Sequence, residues 1–307
     1  MEPIPAILGP TASGKTKLAI KLAKKINGEI IGLDSRQIYK DIPIGTAQPS
    51  LDEILKIPHH LIGVKSLTEI VNAGEYAKMV LDTIDLIKKR NKRPIICGGS
   101  GLYFSAISKG IFKSSVSDLK IREHLEKRYE HGEAKNMLSE LEQVDPNYSK
   151  LIHVNNKKRL VRALEIFKST GKTPSEHFEN QKNDPKVLPT LFAIYLDWNK
   201  DDLKKRIEKR TIEMLKNGWV EEVKSVLNNF PTKKLHPMDS IGFREIISFI
   251  NGDILFENLI ETINIKTNQF AIKQVKWFKR EKLDLILPMI ENYQASKILD
   301  VIQKKIN

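Results

Sequence analysis

Residues 9–16 read GPTASGKT and constrain this chain more than any other segment. They match the pattern GxxxxGK[ST] and stand between a short apolar run, IPAIL (4–8), and a stretch in which Leu18, Leu22 and Ile26 recur at four-residue spacing. The arrangement predicts a strand, a glycine turn and a helix from about residue 14 to 26. In such a P-loop, Gly9 and Gly14 let the backbone curl so that its N–H groups converge on one anion. Lys15 adds a point charge, the Thr16 hydroxyl is placed for Mg2+, and the helix N-terminus contributes a favourable dipole. Pro10, Thr11, Ala12 and Ser13 complete the loop. The motif points to a phosphate chain with a metal and leaves open which molecule carries it.

The surrounding pattern is α/β: a P-loop parallel sheet flanked by helices. After the first helix comes a second strand, EIIGLD (29–34), then a helix near 74–90 and a strand, RPIICGG, that ends in another glycine turn before the helical GLYFSAIS. Residues 113–186 change character, with charge-laced helical segments such as IREHLEKRYE and NKKRLVRALEIF and no convincing strand. We read 113–186 as a helical insertion domain and 1–112 with 187–307 as the catalytic core with its C-terminal helices. Asn183, Asp184 and Pro185 form the expected turn out of the insertion. The strand-like TLFAIYLDW (190–198) returns the chain to the sheet, and LDLILP is a later, short strand-like run among helices.

Composition narrows the function class. No apolar run approaches the roughly eighteen residues of a membrane span, and MEPIPAILGP lacks the features of a secretory signal, so a cytosolic protein with no membrane partner is expected. Cys97 is the single cysteine and lies in the apolar run PIIC, which predicts a buried thiol. With 51 Lys+Arg against 38 Asp+Glu, the formal charge of +13 favours a polyanionic partner.

Several side chains are candidates for chemistry. Asp34 closes an apolar strand, so its carboxylate is expected at the sheet edge beside the P-loop, as a metal ligand, as a base accepting a proton, or as a cap of the turn DSRQ. Ser100, in the turn Gly98, Gly99, Ser100, Gly101, serves either an oxygen anion or a helix N-terminus. Arg206 and Arg210 lie four apart on one helix face, where they either clamp a diphosphate or form solvated surface. Lys158, Arg159 and Arg162 fall within about one helical turn. Lys273, Lys276 and Arg280 line one face with Trp277 close by, an aromatic that either packs in the core or stacks on a base.

From its N-terminal strand to near Lys282 the chain resembles the tRNA dimethylallyltransferase family, also called tRNA isopentenyltransferases. GPTASGKT is followed by LDSRQIYKDIPIGTAQP, PHHLI, GGSGLYF, HVNNKKRLVRALEIF, GWVEEV, SIGFREI and QFAIKQVKWFKR, similar to the family's blocks in order and spacing. The resemblance implies that the P-loop holds dimethylallyl diphosphate, with Mg2+ as cofactor. It implies that Asp34 is the base for the adenine amino group, and that Lys15, Ser100 and Arg210 gather the diphosphate. It implies tRNA contacts from Asp34, Ser35, Arg36 and Gln37, from Ser100 and Arg122, from Lys158, Arg159, Leu160, Val161 and Arg162, and from Asp239, Ser240, Ile241, Gly242, Phe243 and Arg244. The family's usual acceptor is N6 of the adenine next to the anticodon's third base, in tRNAs reading codons that begin with U. The expected partner is therefore the anticodon stem-loop, bound by a monomer. The chain departs from the family pattern at Ser100 (usually Thr), Asn156 (usually Asp), Gly63 (commonly an acid) and in the block from Ala271 through Ile272, Lys273, Gln274, Val275 and Lys276 to Trp277.

Three other readings fit parts of the chain. A small-molecule P-loop kinase, with ATP in the loop and Asp34 activating a hydroxyl, explains the first hundred residues but gives no purpose to the basic helical insertion. An isopentenyltransferase acting on free nucleotides shares the chemistry and needs less RNA-binding surface. A non-catalytic RNA-binding module leaves Lys15, Thr16 and Asp34 without a task.

Overall fold

The computed structural model describes residues 2–110, 118–183, 188–232, 235–291 and 295–306. From the N-terminus the elements are β1 (Ile4–Leu8), α1 (Lys15–Ile26), β2 (Gly28–Leu33), α2 (Leu51–Lys56), β3 (His59–His60), α3 (Ala73–Lys89), β4 (Arg93–Gly98) and α4 (Gly101–Ser108). Five helices follow: α5 (Leu119–Glu130), α6 (Ala134–Val144), α7 (Pro146–Ser149), α8 (Lys157–Thr170) and α9 (Pro174–Asn183). The chain continues through β5 (Leu191–Trp198), α10 (Lys200–Lys216), α11 (Trp219–Asn229), a short 3-10 helix (His236–Met238), α12 (Phe243–Ile250), α13 (Phe256–Phe278), β6 (Leu285–Met289) and α14 (Ala295–Ile306). It divides into two units, Met1–Ser108 with Pro189–Asn307, and Lys109–Leu188.

In the first unit the six strands are parallel and ordered β3-β2-β4-β1-β5-β6. The central strands are buried on both faces, which is why their sequences read as continuous apolar runs and not as alternating ones. On one face Ile7, Ile30, Ile95, Ile194 and Leu196 form a core with Leu18 and Leu22 of α1 and Leu299 and Ile302 of α14. Elsewhere in this unit the Phe278 ring packs between Phe104 and Tyr195, at centroid distances of 6.1 and 5.7 Å. Helix α1 ends on Asn27, which takes the left-handed conformation (φ 54°) and donates its N–H to Ala23 O, with Lys24 and Lys25 matched to the negative end of the dipole.

The register sets the site. Leu8 at the end of β1 and Leu33 at the end of β2 both pair with Gly98 at the end of β4. The three loops that follow these strands therefore leave the sheet at one level. Only glycine fits at 98, because a Cβ there would lie 2.1 Å from Leu33 O.

The two-residue β3 was not legible as a strand. It is an edge element, fixed partly by a side chain: His60 Nε2 meets the carboxylate of Glu29 at 2.7 Å, and Arg90 reaches the same oxygen at 2.5 Å, so the buried acid in β2 is paired. Gly63, where the family commonly has an acid, takes a left-handed φ of 59° and donates its N–H to Gln37 O. That conformation favours glycine.

The segment between Asp34 and α2 is knit by side chains. Gln37 Nε2 donates to Thr46 O and Ala47 O, Gln48 Nε2 donates to Gln37 O and Tyr39 O, and both Glu222 oxygens accept N–H groups, from Ile44 at 2.7 Å and from Gly45 at 2.8 Å. Gly45 lies against Trp219 and Phe243, whose rings meet edge to face at 5.7 Å.

In the second unit Leu125, Met137, Leu141, Ile152, Leu160, Val161, Ala163 and Leu164 form the core. Asn156 Oδ1 accepts the Arg159 N–H and caps α8, so the residue that replaces the family's aspartate keeps the capping bond without the charge. Asn183 is the last residue of α9 and not a turn residue, while Asp184 and Pro185 lie outside the described residues.

Gly45→Ala tests the packing of this segment. Its Cβ would sit 2.1 Å from Trp219 Nε1 and 2.2 Å from Phe243 Cζ. Overpacking of this kind costs about 1–3 kcal/mol, so the urea midpoint is expected to fall measurably. An unchanged midpoint would mean that the two rings yield freely.

Candidate active site

The loop Gly9–Thr16 is fixed from its outer side. Trp198 Nε1 donates to Ser13 O at 2.9 Å, Arg206 Nε donates to Ala12 O at 2.8 Å, and Lys15 Nζ donates to Pro10 O at 2.7 Å. The Arg206 guanidinium also lies over the Trp198 ring, 4.3 Å from its centroid. Arg210 Nη1 donates to Thr11 Oγ1 at 2.9 Å. Ala12 adopts a left-handed φ of 61°, uncommon for a residue with a Cβ, and Gly14 one of 85°. These contacts consume carbonyls. Among the described residues the N–H groups of Ala12, Gly14, Lys15, Thr16 and Lys17 have no acceptor, and α1 begins on Gly14 without a side-chain cap. Unsatisfied N–H groups at a helix N-terminus are what an anion binds.

The loop opens on a cavity of about 660 Å³, within the usual range for small-ligand sites. Lys15, Lys17, Lys205, Arg206, Lys209 and Arg210 line it against Asp34, Glu53, Glu213 and Glu291, an excess of positive charge. Burial pushes the Lys15 ammonium down to about 8, with the neighbouring Arg210 acting in the same direction and Cys97 and Asp34 opposing it. Burial likewise lowers Arg210, and Asp34 opposes that shift. Two cations held in a partly dry wall without full compensation favour a multiply charged anion between them.

Asp34 fills its expected capping role and also stands at the cavity. Its Oδ1 accepts N–H groups from Arg36 at 2.8 Å and Gln37 at 3.3 Å, which caps the turn. The residue also lines the cavity, which leaves its second oxygen for a ligand. Tyr76 fixes the backbone beneath it, accepting the Asp34 N–H at 3.3 Å and donating to Gly32 O at 2.7 Å. Cys97 is buried as expected and also borders the cavity. Burial raises its thiol to about 11, so it stays protonated, with the Thr16 hydroxyl as hydrogen-bond partner.

The remaining expectations divide. Arg206 and Arg210 are not solvated surface, since both brace the P-loop. Gly98 and Gly99 line the cavity but Ser100 does not. Its N–H donates to Leu33 O and its carbonyl accepts from Phe104 N, so it serves the start of α4 through its backbone. Gln37 borders the cavity, while Ser35 and Arg36 do not.

In the helical unit Lys158 and Arg159 are exposed, but Leu160 and Val161 are 0% and 2% exposed and belong to its core. Arg162 lies 2.9 Å from the fully buried Glu165, so its charge balances an interior acid. Arg122 pairs with Glu126 one turn on. In the stretch 239–244, Asp239 and Arg244 face each other at 3.5 Å, Ser240 donates its hydroxyl to Pro237 O, and Ile241 is half-buried. Gly242 (φ 89°) and Phe243 are buried against Trp219, so these two pack in the interior of this unit. Lys273, Lys276 and Arg280 are exposed, and Trp277 packs on Gly101, where a Cβ would come within 2.3 Å of the indole.

Sequence reasoning missed the supports. Gln274 Oε1 accepts the Thr11 N–H at 2.8 Å and its Nε2 donates to Gly99 O at 2.8 Å, joining the two glycine loops. Glu222 and Tyr76 hold the segment around Asp34. The signal for Gln274 was a polar residue on the apolar stripe Ala271, Gln274, Phe278, whose spacing marks a buried helix face.

The family model described as IPP transferase matches residues 37–281. The P-loop and Asp34 precede that match, and a relative aligned over 99% of the chain extends over them. A tRNA dimethylallyltransferase of Thermotoga neapolitana is 39% identical over 89% of this chain and 88% of its own length, and one of Bacillus cytotoxicus is 37% identical over 99% and 96%. Among solved structures, the tRNA isopentenylpyrophosphate transferase of Bacillus halodurans superposes with a TM-score of 0.72 at 30% identity, covering 100% of this chain and 97% of that one. A eukaryotic dimethylallyltransferase acting on tRNA superposes with a TM-score of 0.84 at 28% identity, covering 100% and 80%. Matched over most of its length by both sequence and fold, the chain belongs to the IPP transferase family.

Proposed function

We propose that this protein transfers the dimethylallyl group of dimethylallyl diphosphate to N6 of the adenine next to the anticodon's third base in tRNA, releasing diphosphate. The reading rests chiefly on one observation: a P-loop whose N–H groups are unpaired shares its cavity with a carboxylate that has an oxygen to spare. The C1–O bond of an allylic diphosphate breaks as negative charge builds on the departing oxygens. The N–H groups, Lys15 and Arg210 stabilise that charge without having to reorganise. The adenine N6 is a poor nucleophile because its lone pair is delocalised. Asp34 accepts its proton as the new C–N bond forms.

The Thr16 hydroxyl and the Asp34 carboxylate, which line the same cavity, would hold Mg2+ beside a bound diphosphate. Among the described residues no group of three or more His, Cys, Asp or Glu forms a protein cage, which suits an ion that keeps water and phosphate ligands. Bound there, it would offset charge on the leaving group.

For the RNA, Lys158 and Arg159 in the helical unit, and Arg244, Lys273, Lys276 and Arg280 in the catalytic unit, offer exposed charge for phosphates. No helix of the described residues is long and apolar enough to cross a membrane. A cytosolic location and a monomeric state are what the family resemblance implies.

Asp34→Asn is expected to slow single-turnover transfer by about a hundredfold or more while leaving tRNA affinity nearly unchanged. An unaltered chemical step would reduce Asp34 to a turn cap.

Pyrophosphate should compete with dimethylallyl diphosphate, and ATP should be neither consumed nor required. Because the free Lys15 titrates near 8, the charged form that grips the anion is lost above that pH. Pyrophosphate affinity, corrected for its own ionisation, should therefore fall as pH rises through 8, with proton uptake on binding in calorimetry. Lys15→Ala should flatten this dependence. ADP formed in step with product would support the kinase instead.

Replacing Lys158 and Arg159 by Ala should reduce the salt dependence of tRNA binding by a logarithmic slope of up to about two. Arg162→Ala should instead lower thermal stability, because it removes a cation paired with the buried Glu165. An unchanged slope in the double variant would remove α8 from the RNA interface.

A further inference from the structure

The geometry points to Gln274 of α13 as a positioning residue that sets the span between the P-loop and the Gly98–Gly101 turn, and through it the grip on the diphosphate. The inference rests on the proposed function for the identity of the anion, and on hydrogen bonds alone for the rest.

Gln274 is only 8% exposed, on the helix stripe where Ala271 and Phe278 are buried. A carboxamide in that position is tolerated only if both of its ends are bonded. They are, and the partners fix its orientation: the Thr11 N–H can only donate and the Gly99 carbonyl can only accept, so Oε1 faces the P-loop and Nε2 faces the second turn. The join is tight. A Cβ on Gly99 would lie 2.6 Å from Gln274 Nε2 and 2.9 Å from Gly9 O, so the end of β1, the end of β4 and α13 meet at this point.

Two consequences follow for the anion site. Thr11 is held twice, by Gln274 through its N–H and by Arg210 through its hydroxyl, which fixes the start of the curl that leaves the N–H groups of Ala12, Gly14, Lys15 and Thr16 unpaired. The bond to Gln274 also takes the Thr11 N–H out of the donor set, so the carboxamide selects which loop donors are left for the anion. Gln274 borders the cavity but is committed at both ends, and it acts through the loop it holds.

Gln274→Met keeps length and apolar volume and removes both hydrogen bonds. It should raise the pyrophosphate Ki and the KM for dimethylallyl diphosphate by about tenfold or more, the scale of the two lost hydrogen bonds, while the KM for tRNA changes less than threefold. Gln274→Glu supplies the test that a merely structural role would not pass. As a carboxylate it accepts from Thr11 but opposes the Gly99 carbonyl, and as a carboxylic acid it restores the donor. Relative to wild type, its pyrophosphate affinity should recover as pH falls towards 5, whereas the Met variant, measured in parallel with melting temperature, should show no such recovery. An unchanged Ki in the Met variant, equal losses for tRNA and dimethylallyl diphosphate, or a Glu variant without pH-dependent recovery would overturn the assignment while leaving the proposed reaction standing. A wild-type protein that binds no pyrophosphate would overturn both.

Discussion

The parallel register of three strands governs the site. Because Leu8 and Leu33 both pair with Gly98, the P-loop, the turn at Asp34 and the second glycine turn leave the sheet at one level, with β4 between the other two. The chemistry asks for anion donors on one side of a reacting carbon and a proton acceptor on the other, and neighbouring strand ends supply that spacing without long loops. A slip of one residue in β1 or β2 would reverse its inward and outward side chains and move its loop out of line. The apolar contacts of Ile7, Ile30 and Ile95 with α1 resist such a slip. Core packing thus holds the catalytic geometry.

Within that frame the P-loop satisfies its outer carbonyls and leaves inner N–H groups unpaired. Pro10, Ala12 and Ser13 give their carbonyls to Lys15, Arg206 and Trp198, so the loop is held before any ligand arrives. The unpaired donors and the partly desolvated Lys15 and Arg210 are unfavourable in the free protein and become favourable only with an anion between them. Folding energy from the sheet and helices offsets that cost. This is preorganisation, and it is most useful where negative charge increases during the reaction, as it does on a departing diphosphate.

What could be read from the sequence follows from locality. The P-loop, the strands at its flanks and Asp34 were legible because each is a contiguous pattern in which neighbours in sequence are neighbours in space. The braces were not: Thr11 and Gln274 are 263 positions apart, and Ile44 and Glu222 are 178 apart. No spacing rule predicts such meetings. In the stretches expected to face RNA, the side chains divide for a different reason. A family stretch is contiguous, but a helix turns about 100° per residue, so Leu160 and Val161 point into the core while Lys158 and Arg159 stay outside. Arg162, one turn on, meets the buried Glu165, a partner whose burial only the packed helices create. For Ser100 the sequence left a choice between anion contact and helix start, and the backbone bonds to Leu33 and Phe104 with its absence from the cavity lining favour the second.

The two oxygens of Asp34 show how one residue can be both a structural and a chemical group. Two backbone donors hold Oδ1, and the Tyr76 hydroxyl ties the Asp34 N–H to the Gly32 carbonyl, so the carboxylate has little freedom left in position or rotation. If Asp34 is the base proposed above, holding it this way limits the entropy it loses on meeting the substrate, and the task falls to the oxygen that the turn does not use. Tyr76 is itself fully buried and stacked at 4.2 Å on Tyr103, which belongs to the helix following the Gly98–Gly101 turn. The same packed layer therefore supports Asp34 and the second glycine turn, and Gln274 links that turn to the P-loop. The P-loop donors and the Asp34 carboxylate are thus parts of one braced assembly, in which moving either would disturb the other.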